Sequence, residues 1–189
     1  MKLTLANQLT ILRMGLVPVL VILVIYGYFG WALLVFLVAG VTDALDGLSA
    51  RIRRERTRLG TMLDPLADKL LITASLVVLS TPNPELTVRI PVWVAILAIS
   101  RDAGILIVVL VINLAVRRSV FSPTILGKAT TVIQLLTILW LFWCNYRAAP
   151  LAVTDVLIGL MVVFTIASGL HYIYRARRIV GEVEGEENG

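Results

Sequence analysis

Six predicted membrane-spanning segments constrain this sequence more than any other feature. They lie at 8–26, 31–50, 60–80, 91–114, 123–145 and 152–174. A helix of about 20 apolar residues spans a hydrocarbon core of ~30 Å. Hydrophobic residues make up 59% of the chain, well above the share in soluble domains. The sequence therefore predicts an all-α integral membrane protein in which residues 1–178 form one domain of six transmembrane helices.

The basic residues predict how these helices are oriented. If both termini are cytoplasmic, only Arg89 and Arg147 fall in the outer loops. The cytoplasmic side then holds Lys2, Arg13, the cluster at 51–58, Arg117, Arg118, Arg175, Arg177 and Arg178. The positive-inside rule favours this orientation, and the expected location is a bacterial cytoplasmic membrane. The net charge of +5 suits anionic lipids or a phosphorylated substrate rather than nucleic acid.

Two further charged features need comment. Arg13 falls inside the first predicted helix, and we expect its long side chain to reach back to the lipid headgroups. The tail at 179–189 is acidic and rich in glycine. Such a composition cannot bury a core, so we expect the tail to be disordered.

Charged residues concentrate at the end of the second predicted helix, in the connection that follows it and at the start of the third. Residues 43–68 read DALDGLSARIRRERTRLGTMLDPLAD and contain Asp43, Asp46, Asp64 and Asp68. The spacings i,i+3 and i,i+4 place each pair on one face of a helix. A charge at membrane depth costs about 3 kcal/mol, so these acids need partners. Neighbouring arginines are one possibility, but four acids at these spacings favour an oxygen-ligand site for Mg²⁺ or Mn²⁺. This site would lie at the cytoplasmic ends of helices 2 and 3.

Small and polar residues near the acids are candidates for ligand contacts. Gly47, Ala50 and Gly60 allow a ligand or a neighbouring backbone to approach closely. Helix packing is the alternative, and for Gly60 alone it is the better one. Asn7 and Thr10 either cap the first helix or touch a ligand. Metal-binding acids, small residues and an arginine together suit a pyrophosphate ligand.

This motif resembles the signature of the CDP-alcohol phosphotransferases, D-x2-D-G-x2-A-R-x8-G-x3-D-x3-D. Every fixed position is matched, by Asp43, Asp46, Gly47, Ala50, Arg51, Gly60, Asp64 and Asp68. The resemblance covers nearly the whole chain because the family also has six helices. It implies two divalent cations, CDP-diacylglycerol as the donor, an anionic alcohol as the acceptor, and a homodimer in the membrane.

The same resemblance implies a role for each acid. Asp43 and Asp64 would bridge both metals, Asp46 would bind the first, and Asp68 would bind the second. Asp68 would also accept the proton of the acceptor hydroxyl, which attacks the lipid-bearing phosphorus and expels CMP. Contacts to the nucleotide and pyrophosphate are implied for Gly47, Arg51, Thr57, Asn7 and Thr10.

A second polar set bears on the acceptor. Arg101, beside Asp102, either binds an anionic acceptor or forms an ion pair that holds the bundle together. For Lys128, ligand binding is the favoured alternative. The segment GKATT, with Gln134, resembles the G-K-x-K-T-x-x-Q region of bacterial phosphatidylglycerophosphate synthases. Thr130 replaces the second lysine of that region, and the Arg-Asp pair is also similar to cardiolipin synthases.

Three functions follow from these features. The first is transfer of a phosphatidyl group from CDP-diacylglycerol to glycerol 3-phosphate, and the second uses phosphatidylglycerol as acceptor to make cardiolipin. The third is a small transporter, for which intramembrane acids are the usual marker. A transporter predicts acids spread along a path and often an internal repeat, whereas these acids cluster. The sequence therefore favours an enzyme.

Overall fold

The computed structural model describes residues 5–53, 58–116, 124–149 and 152–187. Side chains are described for residues 11–42, 69–108, 124–149, 152–175 and 177. The helices are α1 (Leu5–Ile25), α2 (Phe29–Arg53), α3 (Arg58–Ser80), α4 (Val92–Val116), α5 (Ile125–Arg147) and α6 (Val153–Glu187). The described residues contain no strand. The all-helical fold and the order of its six elements are confirmed.

Two helices are long and apolar enough to cross a membrane, Ile125–Arg147 and Val153–Arg175. Shorter apolar helical segments occur at Ile11–Ile25, Phe29–Thr42 and Lys69–Ser80.

The helices pack so that α1 and α5 each touch both α2 and α3. Beyond this group, α6 packs against α5 and α4, and α4 also touches α3. We call the end where α2 stops and α3 starts the motif end. The other end, with the connections at 26–28 and 81–91, is the loop end. The buried core runs between the two ends and includes Leu20, Phe36, Ile72, Leu141 and Phe142.

Contacts between α2 and α5 fix how far one helix is shifted along the other. The rings of Phe36 and Phe142 lie 5.4 Å apart between their centroids. Closer to the loop end, a methyl group on Gly30 would lie 2.9 Å from the Tyr146 ring. Glycine is therefore needed for this close approach of the two helices. The helices are antiparallel and in a defined register.

The connection at 81–91 is fastened to two helices by asparagine side chains. Asn83 Nδ2 donates to the Val24 carbonyl at 3.2 Å. The amide of Asn145 accepts from the Val88 N–H at 3.0 Å and donates to the Val88 carbonyl at 2.8 Å. Asn145 thus pairs with Val88 as a neighbouring strand would. These bonds tie the connection to α1 and α5.

The last helix is longer than the sequence predicted. We expected disorder at 179–189, but α6 continues through Glu187. Its final turns contain no proline and several glutamates, which have good helix propensity. The glycines in this segment lower that propensity without ending the helix.

Candidate functional site

The signature positions fall on two helices at the motif end. Asp43, Asp46, Gly47, Ala50 and Arg51 lie in the last turns of α2. On α3, the positions are Gly60, Asp64 and Asp68. Their side chains, like those of Asn7 and Thr10 on α1, lie outside the described part of the structure. Thr57 lies outside the described residues altogether.

The donor set of this motif fits divalent cations. Because α2 and α3 are continuous helices through the acidic positions, each pair of aspartates shares one helix face. Carboxylate oxygens are the ligands that Mg²⁺ and Mn²⁺ prefer. Among the described side chains, no group of three or more His, Cys, Asp or Glu could hold a metal ion. The spacing and ligand type of its four aspartates make the motif the candidate metal centre.

A polar network joins three helices directly beside the motif. Lys69, the residue after Asp68, donates from Nζ to Asp102 Oδ2 at 2.9 Å. Arg101 Nη1 donates to Asp102 Oδ1 at 2.6 Å, and Nη2 donates to Ser168 Oγ. The buried carboxylate of Asp102 therefore accepts from two cations, which leaves one net positive charge. This network connects α3, α4 and α6.

The network bears on the two interpretations of Arg101. The ion pair expected as one alternative is present, between Arg101 and Asp102. The buried Nε of Arg101 makes no hydrogen bond within the described part of the chain. A methyl group on Gly127 would lie 3.5 Å from Arg101 Nη2, so the guanidinium lies against the start of α5. Binding of an acceptor by Arg101 stays a prediction.

The start of α5 brings Lys128 into the same region. Thr124 caps this helix, and its hydroxyl accepts from the Gly127 N–H at 3.1 Å. Lys128 follows directly and its side chain is exposed. Its ammonium group is therefore accessible at the motif end, beside the start of α5 that touches Arg101. This placement agrees with the predicted ligand role of Lys128 without testing it.

Arg13 differs from its expected placement. Its side chain is only 1% exposed, so the prediction that it reaches the headgroups is wrong. The reason is that α1 packs against both α2 and α3, and Arg13 lies on the buried side. The turn at 26–28 connects α1 to α2. Arg13 on α1 and Asp43, the first residue of the signature on α2, are about the same number of residues away from this turn. A buried cation needs an anion, and the signature acids lie at that level.

Gln134 is another residue whose burial the sequence did not predict. In the sequence, Gln134 stood out only as part of the resemblance to the G-K-x-K-T-x-x-Q region. In the structure it is fully buried, and neither Nε2 nor Oε1 has a hydrogen-bond partner among the described residues. Its spacing from Thr130 and Thr137, which are also buried, was the available signal. These positions recur on one face of α5.

A helical bundle with this complete signature at one end defines a class of lipid-phosphate transferases. The sequence model of CDP-alcohol phosphatidyltransferase matches residues 3–167, and the chain belongs to this family. The family is in general dependent on divalent metals. Membership confirms the resemblance found in the sequence and decides for an enzyme over a transporter.

Individual relatives carry two kinds of name. The probable phosphatidylglycerophosphate synthase of Mycobacterium tuberculosis H37Rv is 34% identical over 188 residues, covering 95% of this chain and 84% of that protein. The CDP-diacylglycerol–glycerol-3-phosphate 3-phosphatidyltransferase of Bacillus subtilis is 31% identical over 186 residues, covering 89% and 92%. Human cardiolipin synthase (CMP-forming) is 36% identical over 151 residues, covering 71% and 48%. The chain is thus similar both to enzymes named for phosphatidylglycerophosphate synthesis and to one named cardiolipin synthase.

Proposed function

We propose that this protein transfers the phosphatidyl group of CDP-diacylglycerol to glycerol 3-phosphate and releases CMP. The observation behind this proposal is the complete signature on α2 and α3, with cationic side chains of α4 and α5 beside it. Two relatives whose alignments cover most of both chains have names that match this reaction. One is named a probable phosphatidylglycerophosphate synthase and the other a CDP-diacylglycerol–glycerol-3-phosphate 3-phosphatidyltransferase. The basic residues supply the positive charge that a dianionic acceptor requires.

In the proposed reaction, the acids of the signature have distinct roles. Together, Asp43, Asp46, Asp64 and Asp68 would hold two divalent ions. Ions bound there would neutralise the pyrophosphate and stabilise the departing CMP. Asp68 takes the proton from the acceptor hydroxyl, whose oxygen forms a bond to the lipid-bearing phosphorus. The bond from that phosphorus to the CMP oxygen breaks, and CMP leaves.

The remaining signature residues would bind the donor. The small side chains of Gly47, Ala50 and Gly60 leave room for the nucleotide and pyrophosphate at the ends of α2 and α3. Arg51 supplies a positive charge to the pyrophosphate. Asn7, Thr10 and Thr57 complete the proposed nucleotide contacts.

The acceptor phosphate would bind where α4 meets the start of α5. Lys69 and Arg101 share the single carboxylate of Asp102, so this region keeps a net positive charge. Lys128 is exposed beside it and is the residue we assign to direct phosphate contact. Arg101 is held in place by Asp102 and Ser168 and adds its charge from a buried position.

We further propose that all six helices cross the membrane, with both termini in the cytoplasm, and that the protein is a homodimer. The two apolar helices of full length support the membrane placement. Trp31 and Trp93 are exposed near the loop end, as expected for side chains at a membrane interface. The dimer is what membership of the family implies.

Cardiolipin synthesis from phosphatidylglycerol is the second candidate function. Its support is the similarity to human cardiolipin synthase and the Arg101–Asp102 pair. Phosphatidylglycerol has one negative charge and arrives within the bilayer, so it would use less of the basic region.

One experiment decides between the two functions. The purified protein is incubated with CDP-diacylglycerol and either glycerol 3-phosphate or phosphatidylglycerol, and the lipid products are identified by mass together with released CMP. The expected product is phosphatidylglycerophosphate. A protein that ignores glycerol 3-phosphate but makes cardiolipin would establish the second function instead.

A further inference from the structure

The side chain of Gln134 is buried without any hydrogen bond inside the described protein. Both Nε2 and Oε1 are enclosed, and the residue is 0% exposed. Burying an amide without partners is unfavourable. Neighbouring polar side chains on the same face of α5 do not share this state. Thr130 donates to the Leu126 carbonyl at 2.8 Å, and Thr137 donates to the Ile133 carbonyl at 2.8 Å.

The register of α2 and α5 places Gln134 at the level of the acid motif. The Phe36–Phe142 ring contact and the close approach of Gly30 to Tyr146 show that the two helices run antiparallel and keep nearly the same register at both contacts. Moving eight residues toward the motif end on each helix, from Phe36 and from Phe142, reaches positions 44 and 134. Gln134 therefore lies level with Asp43, the first acid of the signature.

The chemistry of an amide indicates what kind of group completes it. The amide offers two N–H donors and one carbonyl acceptor. Phosphate oxygens only accept, so they would leave Oε1 unpaired. A metal ion would engage Oε1 and leave the N–H groups unpaired. A hydroxyl both donates and accepts, and two adjacent hydroxyls match both ends of the amide.

The position of Lys128 is consistent with a polyhydroxy ligand beside Gln134. The two residues are separated by six positions on α5, a rise of about 9 Å. Lys128 is at the motif end and exposed, whereas Gln134 is deeper and level with the acids. An acceptor whose phosphate lies at Lys128 would extend its hydroxyl groups toward Gln134 and the signature.

We infer that Gln134 binds the hydroxyl groups of the acceptor alcohol and recognises the hydroxyl adjacent to the attacking one. This inference rests on the proposed function and makes Gln134 a specificity-determining residue. It would select acceptors that have two neighbouring hydroxyl groups over acceptors with only one.

The test compares two acceptors with two forms of the protein. Glycerol 3-phosphate has the adjacent hydroxyl, and 3-hydroxypropyl phosphate lacks it. For the wild-type protein, kcat/KM should be about tenfold or more lower with the second acceptor, because the buried amide would be left unpaired. Gln134→Met keeps the side-chain length without hydrogen bonds. For Gln134→Met, kcat/KM should be about the same with the two acceptors. It should also be close to the value of the wild-type protein with 3-hydroxypropyl phosphate.

A matched control separates recognition from packing. Thr137→Val removes a buried hydroxyl from the same helix, and the hydrogen bond of this hydroxyl lies within α5. This variant should retain the wild-type preference between the two acceptors. Thermal unfolding in detergent checks each variant, and Gln134→Leu replaces Gln134→Met if the latter unfolds.

Three results would overturn the inference. The Gln134 variant could lose activity equally with both acceptors, could keep the wild-type preference, or could raise only the KM for CDP-diacylglycerol. If the wild-type protein makes no product from glycerol 3-phosphate, the proposed function fails first. Gln134 is then tested with phosphatidylglycerol and its analogue lacking the secondary headgroup hydroxyl, where an unchanged preference in the variant overturns the inference.

Discussion

At the scale of single residues, Arg13 shows how a charge can be part of the interior of a helical bundle. A guanidinium that is 1% exposed keeps its charge only beside an anion or a dense set of acceptors. The signature acids of α2 lie at its level. We therefore expect Arg13 to offset part of the negative charge of the motif.

Removal of this charge should impair the enzyme. Arg13→Leu is expected to lower kcat/KM by about tenfold or more. Without the guanidinium, the nearby acids would lose positive charge inside the protein, and leaving a buried charge unpaired costs several kcal/mol. The rate of CMP release gives the measurement, with thermal unfolding as a check on folding. Arg177→Ala, at an exposed position of α6, is the control and should retain turnover. Wild-type turnover in Arg13→Leu would show that the charge is dispensable.

Lys128 permits a prediction about the acceptor alone. A hydrogen bond between charged groups contributes about 1.5–3 kcal/mol. Lys128→Ala should therefore raise the KM for glycerol 3-phosphate by about tenfold or more, while the KM for CDP-diacylglycerol changes little. Steady-state kinetics with each substrate varied in turn provide both values. An equal rise in the two KM values would argue against a specific acceptor contact.

At the scale of helices, Asp102 connects elements that are far apart in the sequence. It accepts from Lys69 of α3 and from Arg101 of its own helix α4, and Arg101 reaches Ser168 of α6. Because Lys69 directly follows Asp68, the network also fixes the α3 backbone beside the signature. The carboxylate thus links α3 to α4, and Arg101 extends the network to α6.

Loss of this carboxylate should destabilise the bundle. Asp102→Asn leaves two cations without their shared anion, and breaking such a pair costs about 3–5 kcal/mol. Lys69 is partly exposed, so we expect the lower part of that range. Thermal unfolding in detergent measures the effect. Asp155→Asn, on the exposed start of α6, should change stability much less, and equal losses would contradict the role of the network.

Residue spacing could predict the elements but could not predict which side chains face inward. The apolar runs place all six helices, and the fixed spacing of the signature identifies its acids. The burial of Arg13 depends instead on α1 packing between α2 and α3. In the same way, the pairing of Asn145 with Val88 joins parts of the chain that lie 57 positions apart. No local pattern encodes such contacts, because they form only when the helices assemble.

At the scale of the whole molecule, the enzyme should depend strictly on Mg²⁺ or Mn²⁺. If the four carboxylates converge as proposed, they cannot all be ionised without cations. Excess chelator should therefore abolish CMP release, and Asp43→Asn or Asp64→Asn should do the same while the protein still folds. Asp155→Asn serves as the matched control and should stay active. Full turnover in excess chelator would rule out the metal site.

The pairing of Asn145 with Val88 determines where this bundle is able to move. Together with the bond from Asn83 to Val24, it fastens the 81–91 connection to α1 and α5. The spacing of these helices is therefore fixed at the loop end. We therefore expect any widening of the bundle that admits a lipid nucleotide to occur at the motif end. The hydrogen-bonded loop end would then act as the hinge for the proposed site at the other end.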